Sequence, residues 1–278
     1  MTEAAHGLLQ VLRDAPPVRA RQGRYELRFA RTQEELDEIL HLRFNVFNLE
    51  LGEGLETSFL TRRDEDSFDR ACHHLLVEDL AAGRIVGTYR MQTWEMAQGS
   101  SGFYSAGEFT LDTLPTDILA GSVEVGRACI AREHRHRHVL FLLWKGLAGY
   151  VMHFGKRYLF GCCSLSTQDP GAGLALHRQL AAGGKLHPEL CVDPRAGFEC
   201  AAEATAGGAP VEPVGVPQLF ATYLRYGALV CGPPAIDREF KTIDYFVLLD
   251  TNALDPRTFR SFFAADAAGE HASPRARA

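Results

Sequence analysis

The chain has 278 residues, of which 46% are hydrophobic and 23% are charged. This composition is ordinary for a globular protein, and the length allows one large domain or one domain with an appendage. The net charge of −6 argues against a general nucleic-acid-binding protein, since such proteins carry a broad basic surface.

The chain begins with an arm, residues 1–23, that is rich in Ala, Pro and Arg and that we expect to be loose. The arm has no long apolar core, so we expect no secretory signal peptide. Residues 25–30 alternate like a strand, and Thr32 with Glu35 predicts the capping box of a helix. Residues 52–69 are acidic and lack periodicity, which predicts a long ordered loop of the kind that often serves as a lid.

The middle of the chain carries two hairpin strands and then the stretch around which we expect the rest to be organised. The hairpin strands cover residues 74–79 and 84–91, around an Ala-Ala-Gly turn. Residues 123–165 predict a strand, a turn, a long amphipathic helix and a second strand. The turn, residues 132–138, is cationic apart from Glu133, and a basic turn at a helix N-terminus suits an anionic ligand.

The C-terminal part completes a single domain, which we place at residues 24–265. A helix is expected at residues 171–182 and another from Pro217, ahead of two further strands. Residues 186–214 predict an insertion, and residues 266–278 a disordered tail. The alternation of strands and helices predicts an α/β (α+β) fold, in which helices flank a central twisted mixed sheet.

Membrane-spanning, disulfide-bonded and metal-binding proteins are all disfavoured by the residues themselves. No apolar stretch of about 20 residues is uninterrupted, so we expect a cytoplasmic protein, with a peripheral contact to the inner membrane left open. Seven cysteines without a CxxC pair predict reduced thiols. Cys72, His73 and His74 are neighbours in a predicted strand and point to alternate faces, so we expect no bound metal.

Several features of the sequence resemble known acyltransferases. The order of elements is similar to the Gcn5-related N-acyltransferase fold, and the spacing of polar residues resembles that of acyl-homoserine-lactone synthases. The residues that carry this spacing are Arg43, Phe47, Asp66, Asp69, Arg90, Glu124 and Arg127. Whole phrases, among them LRFNVFNLELG, VEVGRACI, LLWKGLAGY and IDREFKTIDYFVLL, resemble the ornithine N-acyltransferase family, which makes lyso-ornithine lipid and is often labelled hemolysin-like.

This resemblance implies an enzyme that moves a long, often 3-hydroxylated acyl chain from acyl carrier protein to the α-amine of ornithine or a similar amino acid. That reaction is the first step of ornithine-lipid synthesis, and it implies no cofactor beyond the acyl thioester donor. Members of the wider fold that use coenzyme A have a glycine-rich turn before the central helix. Here the turn reads REHRHRH, residues 132–138, which suits an acidic carrier protein and its single phosphodiester better than coenzyme A.

Glu124 is our candidate catalytic base, since it is an acid in an otherwise apolar strand. The resemblance places Arg127 beside it in the catalytic group, and a purely structural ion pair between the two is the alternative. Residues three apart in a regular strand face opposite sides. We therefore predict a β-bulge if Glu124 and Arg127 are to share a face.

The other charged residues divide into two groups. The first is expected to bind the amino-acid acceptor, whose carboxylate an Arg can clamp, and comprises Arg43, Asp66, Asp69 and Arg90, with Phe47 as a core or cavity-wall residue. The second is expected to bind the phosphate and acidic surface of the carrier protein, and comprises Arg132, Arg135, Arg137 and Lys145. For any single member of the second group, a solvated turn is the alternative.

Two other functions fit parts of the pattern. An autoinducer synthase of the acyl-homoserine-lactone type would use S-adenosylmethionine as the acceptor, although such chains are shorter and lack the C-terminal phrases found here. A non-catalytic module would bind acyl carrier protein or a membrane and would form no product.

Overall fold

The computed structural model describes residues 3–201 and 213–263. Within these ranges the α-helices are α1 (Glu3–Asp14), α2 (Gln33–Phe44), α3 (Ser58–Thr61), α4 (Trp94–Gln98), α5 (Thr116–Ala120), α6 (Arg137–His153), α7 (Pro170–Ala182), α8 (Gln218–Arg225) and α9 (Pro256–Phe263). The strands are β1 (Ala20–Gln22), β2 (Tyr25–Phe29), β3 (His73–Asp79), β4 (Arg84–Thr93), β5 (Ser122–Ile130), β6 (Tyr158–Leu165), β7 (Leu229–Val230), β8 (Ala235–Asp237) and β9 (Thr242–Asp250). None of these helices combines the length and apolar character that a bilayer span requires.

The nine described strands form one mixed sheet in the order β1-β2-β3-β4-β5-β6-β9-β7, with β8 also paired to β9. Strands β5 and β6 are parallel, and α6 makes the crossover between them. The other paired strands of the described sheet are antiparallel. The predicted order of strand, turn, helix and strand over residues 123–165 is therefore confirmed, as is the α/β class.

Helices cover both faces of this sheet, because successive strand residues point to opposite sides. Leu75 of β3 packs into the core beneath α6, α7 and α8, whereas its neighbour Leu76 packs against α2. In β9, Tyr245 lies in the first of these cores and Phe246 lies in a third cluster beside α4 and α5. Gly146 lets α6 approach the sheet closely, since a Cβ there would lie 2.5 Å from the Leu75 side chain.

Strands β5 and β6 pair only at their first residues and then diverge. The parallel register runs from Ser122 to Glu124, opposite residues 158–160. One residue beyond this pairing the strands are still close, since a Cβ on Gly161 would lie 2.2 Å from the Val125 carbonyl oxygen. The register between β4 and β5 also shifts here, with Arg127 at a φ of 49°. A β-bulge is thus present, but it falls at Arg127 and Ala128, since the register with β4 is regular from Val123 to Gly126. The divergence of β5 from β6 opens the centre of the sheet.

The N-terminal region differs from the loose arm that composition predicts. Residues 3–14 form helix α1, whose Leu8 and Leu12 are buried against α2, and residues 20–22 form the edge strand β1. The composition of this region did not reveal the helix, because two leucines spaced four apart suffice to bury one face of it. The capping box of Thr32 and Glu35 is confirmed.

Two further segments hold more structure than the sequence suggested. The acidic loop at 52–69 contains the short helix α3 and starts a 3₁₀ turn, Ser67–Ala71. In the insertion at 186–214, the described residues are held by isolated bridges, including Leu186 with Val230 and Glu199 with Ala235. Residues 202–212 of that insertion, and the predicted tail at 266–278, lie outside the described residues.

Candidate active site

A buried network of three arginines and three aspartates lies where α2, the acidic loop, β4 and β5 meet. Arg43 is wholly buried and donates to Asp64 Oδ2 at 2.7 Å and to Asp69 Oδ1 at 2.6 Å. Arg90 donates to Asp69 Oδ1 at 3.0 Å and to Asp66 Oδ1 at 2.6 Å. Arg127 then bonds the other oxygen of Asp66, at 2.9 Å. The structure therefore brings together the four charged residues that were predicted to bind the acceptor, Arg43, Asp66, Asp69 and Arg90, and joins Arg127 to them.

A local capping arrangement fixes the positions of Asp66 and Asp69 beside these arginines. Asp66 caps the 3₁₀ turn by accepting from the Phe68 N–H, and Asp69 reaches back to the Asp66 N–H in a capping box. Burial would raise the pKa of Asp69, but the charges of Arg43 and Arg90 outweigh it and hold that pKa well below its usual value. The arginines thus compensate the charge of the buried Asp69 carboxylate.

Glu124 is held by the segment that follows α4 and does not pair with Arg127. Its Oε1 accepts from the Ser105 N–H at 2.7 Å and from the Ser105 hydroxyl at 2.5 Å, and its Oε2 accepts from the Tyr104 N–H at 2.7 Å. Burial raises the pKa of Glu124 above the ordinary carboxyl value, although the Ser105 hydrogen bonds act in the opposite direction. Arg127 lies instead between the rings of Tyr104 and Phe240, at 4.8 and 4.1 Å.

A cavity of about 320 Å³ opens at the divergence of β5 and β6, and both Glu124 and Arg127 line it. The size falls within the range of small-molecule sites. The polar residues on its wall include Glu53, Arg90, Gln92, Tyr104, Ser105, Glu124, Arg127 and Asp244. The apolar residues include Leu147, Leu159, Phe220, Val247 and Leu249, all from or against the core beneath α6. One cavity therefore joins a charged region to an apolar one.

Phe47 also lines this cavity, in edge-to-face contact with Phe240 at 6.0 Å. It lies in a π-helical turn, Asn45–Glu50, that continues α2 without a break. Such turns occur often at functional sites, since they re-aim side chains relative to the preceding helix. Of the two positions left open for Phe47, the structure places it on the cavity wall.

The basic turn lies on the surface, and its members separate into different roles. Arg132 and Arg137 are exposed. Arg135 is engaged by Glu50, with its Nη2 at 2.8 Å from the Glu50 Oε2. Lys145 lies over the Phe141 ring at 5.9 Å, about 12 Å along α6 from Arg137 by helix rise. Of the four residues predicted to bind a carrier, Arg132 and Arg137 are thus exposed at the turn. Arg135 pairs with Glu50, and Lys145 lies farther along α6.

Two imidazoles of this turn, those of His134 and His136, have a structural role. The Tyr25 hydroxyl lies 3.1 Å from His134 Nδ1 and 3.0 Å from His136 Nε2. These contacts hold the turn against strand β2.

The two histidines considered as possible metal ligands have other partners. His73 Nδ1 lies 2.8 Å from the Tyr150 hydroxyl, and His74 Nε2 donates to the Asp69 carbonyl at 2.8 Å. Cys129 is a buried thiol whose pKa is raised to about 12 by burial. All seven cysteines are free, as predicted.

Several residues of the site escaped the sequence argument. These residues contact the arginine network, Glu124 or one another, and they are Asp64, Tyr104, Ser105, Glu108, Asp237 and Asp244. Asp244 carried the same signal as Glu124, an acid inside an apolar strand, and was recognisable by it. Asp64 lies in a run of charged residues, RRDED, in which no local pattern distinguishes the buried member.

Comparison with known proteins places these features in a family. Residues 42–145 match the family model described as an acetyltransferase (GNAT) domain. An L-ornithine N(alpha)-acyltransferase of Brucella abortus (strain 2308) is 32% identical over 261 residues, covering 89% of this chain and 91% of the relative. The enzyme of the same name from Rhodobacter capsulatus is 32% identical over 254 residues, covering 86% and 94%.

Solved structures give a more distant likeness. The crystal structure of the AHL synthase LasI aligns with a TM-score of 0.46 and 12% identity, covering 87% of this chain and 96% of that one. The identity to the curated relatives extends over nearly their whole length. The chain therefore belongs to the L-ornithine N(alpha)-acyltransferase family, with an acetyltransferase (GNAT) domain.

Proposed function

We propose that this chain transfers a long acyl group from the thioester of acyl carrier protein to the α-amine of L-ornithine. The observation that carries the proposal is the single cavity in which a buried acid, Glu124, and a guanidinium, Arg127, adjoin an apolar region. Four relatives that share the name L-ornithine N(alpha)-acyltransferase support ornithine as the acceptor. The product would be an N-acyl amino acid, a single-chain amphiphile that a second acylation converts into a membrane lipid.

The acyl chain would occupy the apolar part of the cavity. Trp144 and Leu147 of α6 form one wall, and Val247 and Leu249 of β9 form another. Burial of a chain in such a region is worth about 0.8 kcal/mol for each methylene. A long acyl group would therefore supply much of the binding free energy of the donor.

The amine would be acylated beside Glu124. An α-ammonium must lose a proton before it attacks a thioester, and a carboxyl with a raised pKa is a suitable acceptor of that proton near neutral pH. Among the described residues, only the Tyr104 N–H donates to Oε2 of Glu124, so one lone pair remains on that atom. Arg127, at the edge of the charged network, is placed to bind the α-carboxylate of the same substrate.

Charge on the thioester oxygen would be stabilised by backbone N–H groups of the bulge. Gly126, Arg127 and Ala128 all line the cavity, at the point where β5 leaves regular pairing with β4. Main-chain donors that are fixed by a bulge need no reorganisation as the oxyanion develops.

The carrier protein would dock on the exposed arginines of the basic turn. Arg132 and Arg137 are exposed beside the N-terminus of α6, a helix whose other face contributes to the cavity. Positive charge there would attract an acidic carrier and its phosphodiester. No cofactor beyond the acyl thioester enters this proposal.

The test uses purified protein with acyl carrier protein loaded with a 3-hydroxyacyl chain and with L-ornithine. Mass spectrometry should detect Nα-acylornithine and release of the free carrier thiol. A lactone product formed from S-adenosylmethionine would favour the autoinducer-synthase alternative. Binding of the carrier without any product would favour the non-catalytic module and refute the proposal.

A further inference from the structure

A second buried acidic group lies against the cavity, apart from the network that surrounds Arg43. Glu108 follows the 3₁₀ turn Tyr104–Gly107, and Asp244 lies in β9 opposite Ser164 of β6. Each is only 4% exposed. One oxygen of each, together with Cys162 Sγ, lies within 4.8 Å of the others. No donor group of the described residues reaches Glu108 Oε2 or Asp244 Oδ1, although the two carboxyls themselves are in hydrogen-bond contact.

This acidic pair, Glu108 and Asp244, is not compensated in the way that the arginine network compensates its aspartates. The charge of Arg127 acts to lower the pKa of Glu108, but that guanidinium already pairs with Asp66. Burial, followed by the charges of Asp244 and Asp237, raises the pKa of Glu108 well above its usual value. The two carboxyls also hydrogen-bond each other, which requires a proton on one of them. A bound cation would replace that proton and compensate the two buried charges.

The acidic pair is connected to Glu124 through a short series of contacts. The Ser105 hydroxyl that donates to Glu124 lies 3.5 Å from Cys162 Sγ, which is the third member of the acidic cluster. Glu108 is three residues beyond Ser105 on the same segment. Asp244 and Cys162 line the cavity directly. Asp244 therefore offers a carboxyl on the wall of the cavity that also holds Glu124, and Glu108 lies beside Asp244.

We propose that Glu108 and Asp244 bind the side-chain ammonium of a diamino-acid acceptor. This inference rests on the proposed function and deepens it, because it assigns the residues that select a cationic amino acid over a neutral one. An ammonium between the two carboxylates would satisfy the unpartnered oxygens with charge-assisted hydrogen bonds. It would also stay protonated there, so it would not act as a nucleophile, and acylation would be directed to the α-amine.

An ammonium suits the acidic pair better than a metal ion does. Calcium and magnesium take six or more oxygen ligands, and the pair offers two carboxylates. Zinc would require the thiolate of Cys162, but burial raises the pKa of that thiol well above its usual value. The Cys162 Sγ is also placed to donate to the Ser105 hydroxyl, as a neutral thiol would.

The experiment compares L-ornithine with L-norvaline, which has the same carbon chain without the side-chain amine. For the unaltered enzyme, kcat/KM should favour ornithine by roughly 100-fold or more, the scale expected when buried polar groups lose their partner. Glu108→Gln and Asp244→Asn should each reduce this preference at least about tenfold, mainly through a higher KM for ornithine. The rate with norvaline should stay within about threefold.

Asp79→Asn is the matched control, since Asp79 is equally buried but pairs with Arg24 at the far end of β3. It should leave the preference for ornithine unchanged. If Asp244→Asn does not fold, the preference for ornithine is measured with Glu108→Gln and with Asp244→Glu instead. A preference that survives in the folded variants overturns the inference. So does a preference that is lost on chelation and restored by Zn²⁺, because it would identify a metal site.

Failure of the proposed function would look different. In that case the unaltered protein would form no acylornithine at all, and thermal unfolding would be followed with ornithine or norvaline alone. Stabilisation by ornithine but not norvaline, lost in Glu108→Gln, would still support the acidic pair as an ammonium site. Equal shifts with both ligands would overturn it.

Discussion

The main-chain N–H of Tyr104 donates a 2.7 Å hydrogen bond to Oε2 of Glu124. With the two donors from Ser105, this bond fixes the carboxylate at the wall of the cavity in one orientation. The same three bonds give Glu124 a structural role as well as the proposed catalytic one. Experiments on this residue therefore need to separate loss of the fold from loss of chemistry.

We predict that Glu124→Gln lowers kcat at least about 100-fold, because an amide cannot accept the proton of the acceptor amine. The KM for ornithine should change much less. One amide N–H would face the Tyr104 N–H, so stability should fall by about 1–3 kcal/mol. Steady-state kinetics and urea unfolding measure the two effects. Glu95→Gln, at an exposed acid that pairs with Lys156, is the control. Near-normal kcat in Glu124→Gln would exclude the role as base.

Replacing Arg43 by Met should destabilise the protein by about 3–5 kcal/mol, since it leaves Asp64 and Asp69 buried beside too little positive charge. The exposed pair of Arg157 and Asp250 offers a matched control. Arg157→Met should cost far less, since surface ion pairs contribute little to stability. Urea unfolding of both variants at pH 7 makes the comparison. Equal losses would mean that the buried network does not stabilise the fold.

Stability should decrease as the pH falls from about 6.5 towards 4, because of His73 and His74. Burial lowers the pKa of each to about 4 in the folded protein, against an ordinary value near 6.5. Between these values the unfolded chain binds protons that the folded chain does not, so protonation favours unfolding. Between pH 7 and 5 the loss should be roughly 1–2 kcal/mol for each histidine.

His74→Gln isolates this effect from that of other groups. Buried acids with a raised pKa, such as Glu108, act in the opposite sense, because the folded chain binds their protons first. The difference in stability between pH 7 and 5 should therefore shrink in His74→Gln. It should be unchanged in His41→Gln, at an exposed residue. A pH dependence identical to that of the unaltered protein would contradict the assignment to His74.

Charge reversal of Arg132 and Arg137 together should raise the KM for acyl carrier protein about tenfold or more and leave the KM for ornithine unchanged. These two are better targets than Arg135, whose reversal would also break the contact with Glu50. The increase should diminish at high salt, since it is electrostatic. Arg178→Glu, at an exposed position on α7, is the control. A rise confined to the KM for ornithine would refute carrier docking at this turn.

The elements could be predicted wherever the signal was local. The capping box at Thr32, the hairpin of β3 and β4, and the strand, turn, helix and strand over residues 123–165 all follow from patterns a few residues long. The roles given to Glu124, the arginine network and the basic turn stay predictions, although the structure brings the first two to one cavity. Helix α1 was missed because a high Ala and Pro content concealed two well-spaced leucines.

The sequence by itself determined the fold class, the family and most of the charged residues at the cavity, because periodicity and motif phrases are properties of neighbouring residues. Only the tertiary structure decided how those charges are paired. Arg127 meets Asp66 across 61 residues, and Glu108 meets Asp244 across a larger separation still. Such pairs form where loops and strands converge, and burial then determines the pKa of each member. No local pattern encodes that convergence, so the divided roles of the two acidic regions emerged only from the folded chain.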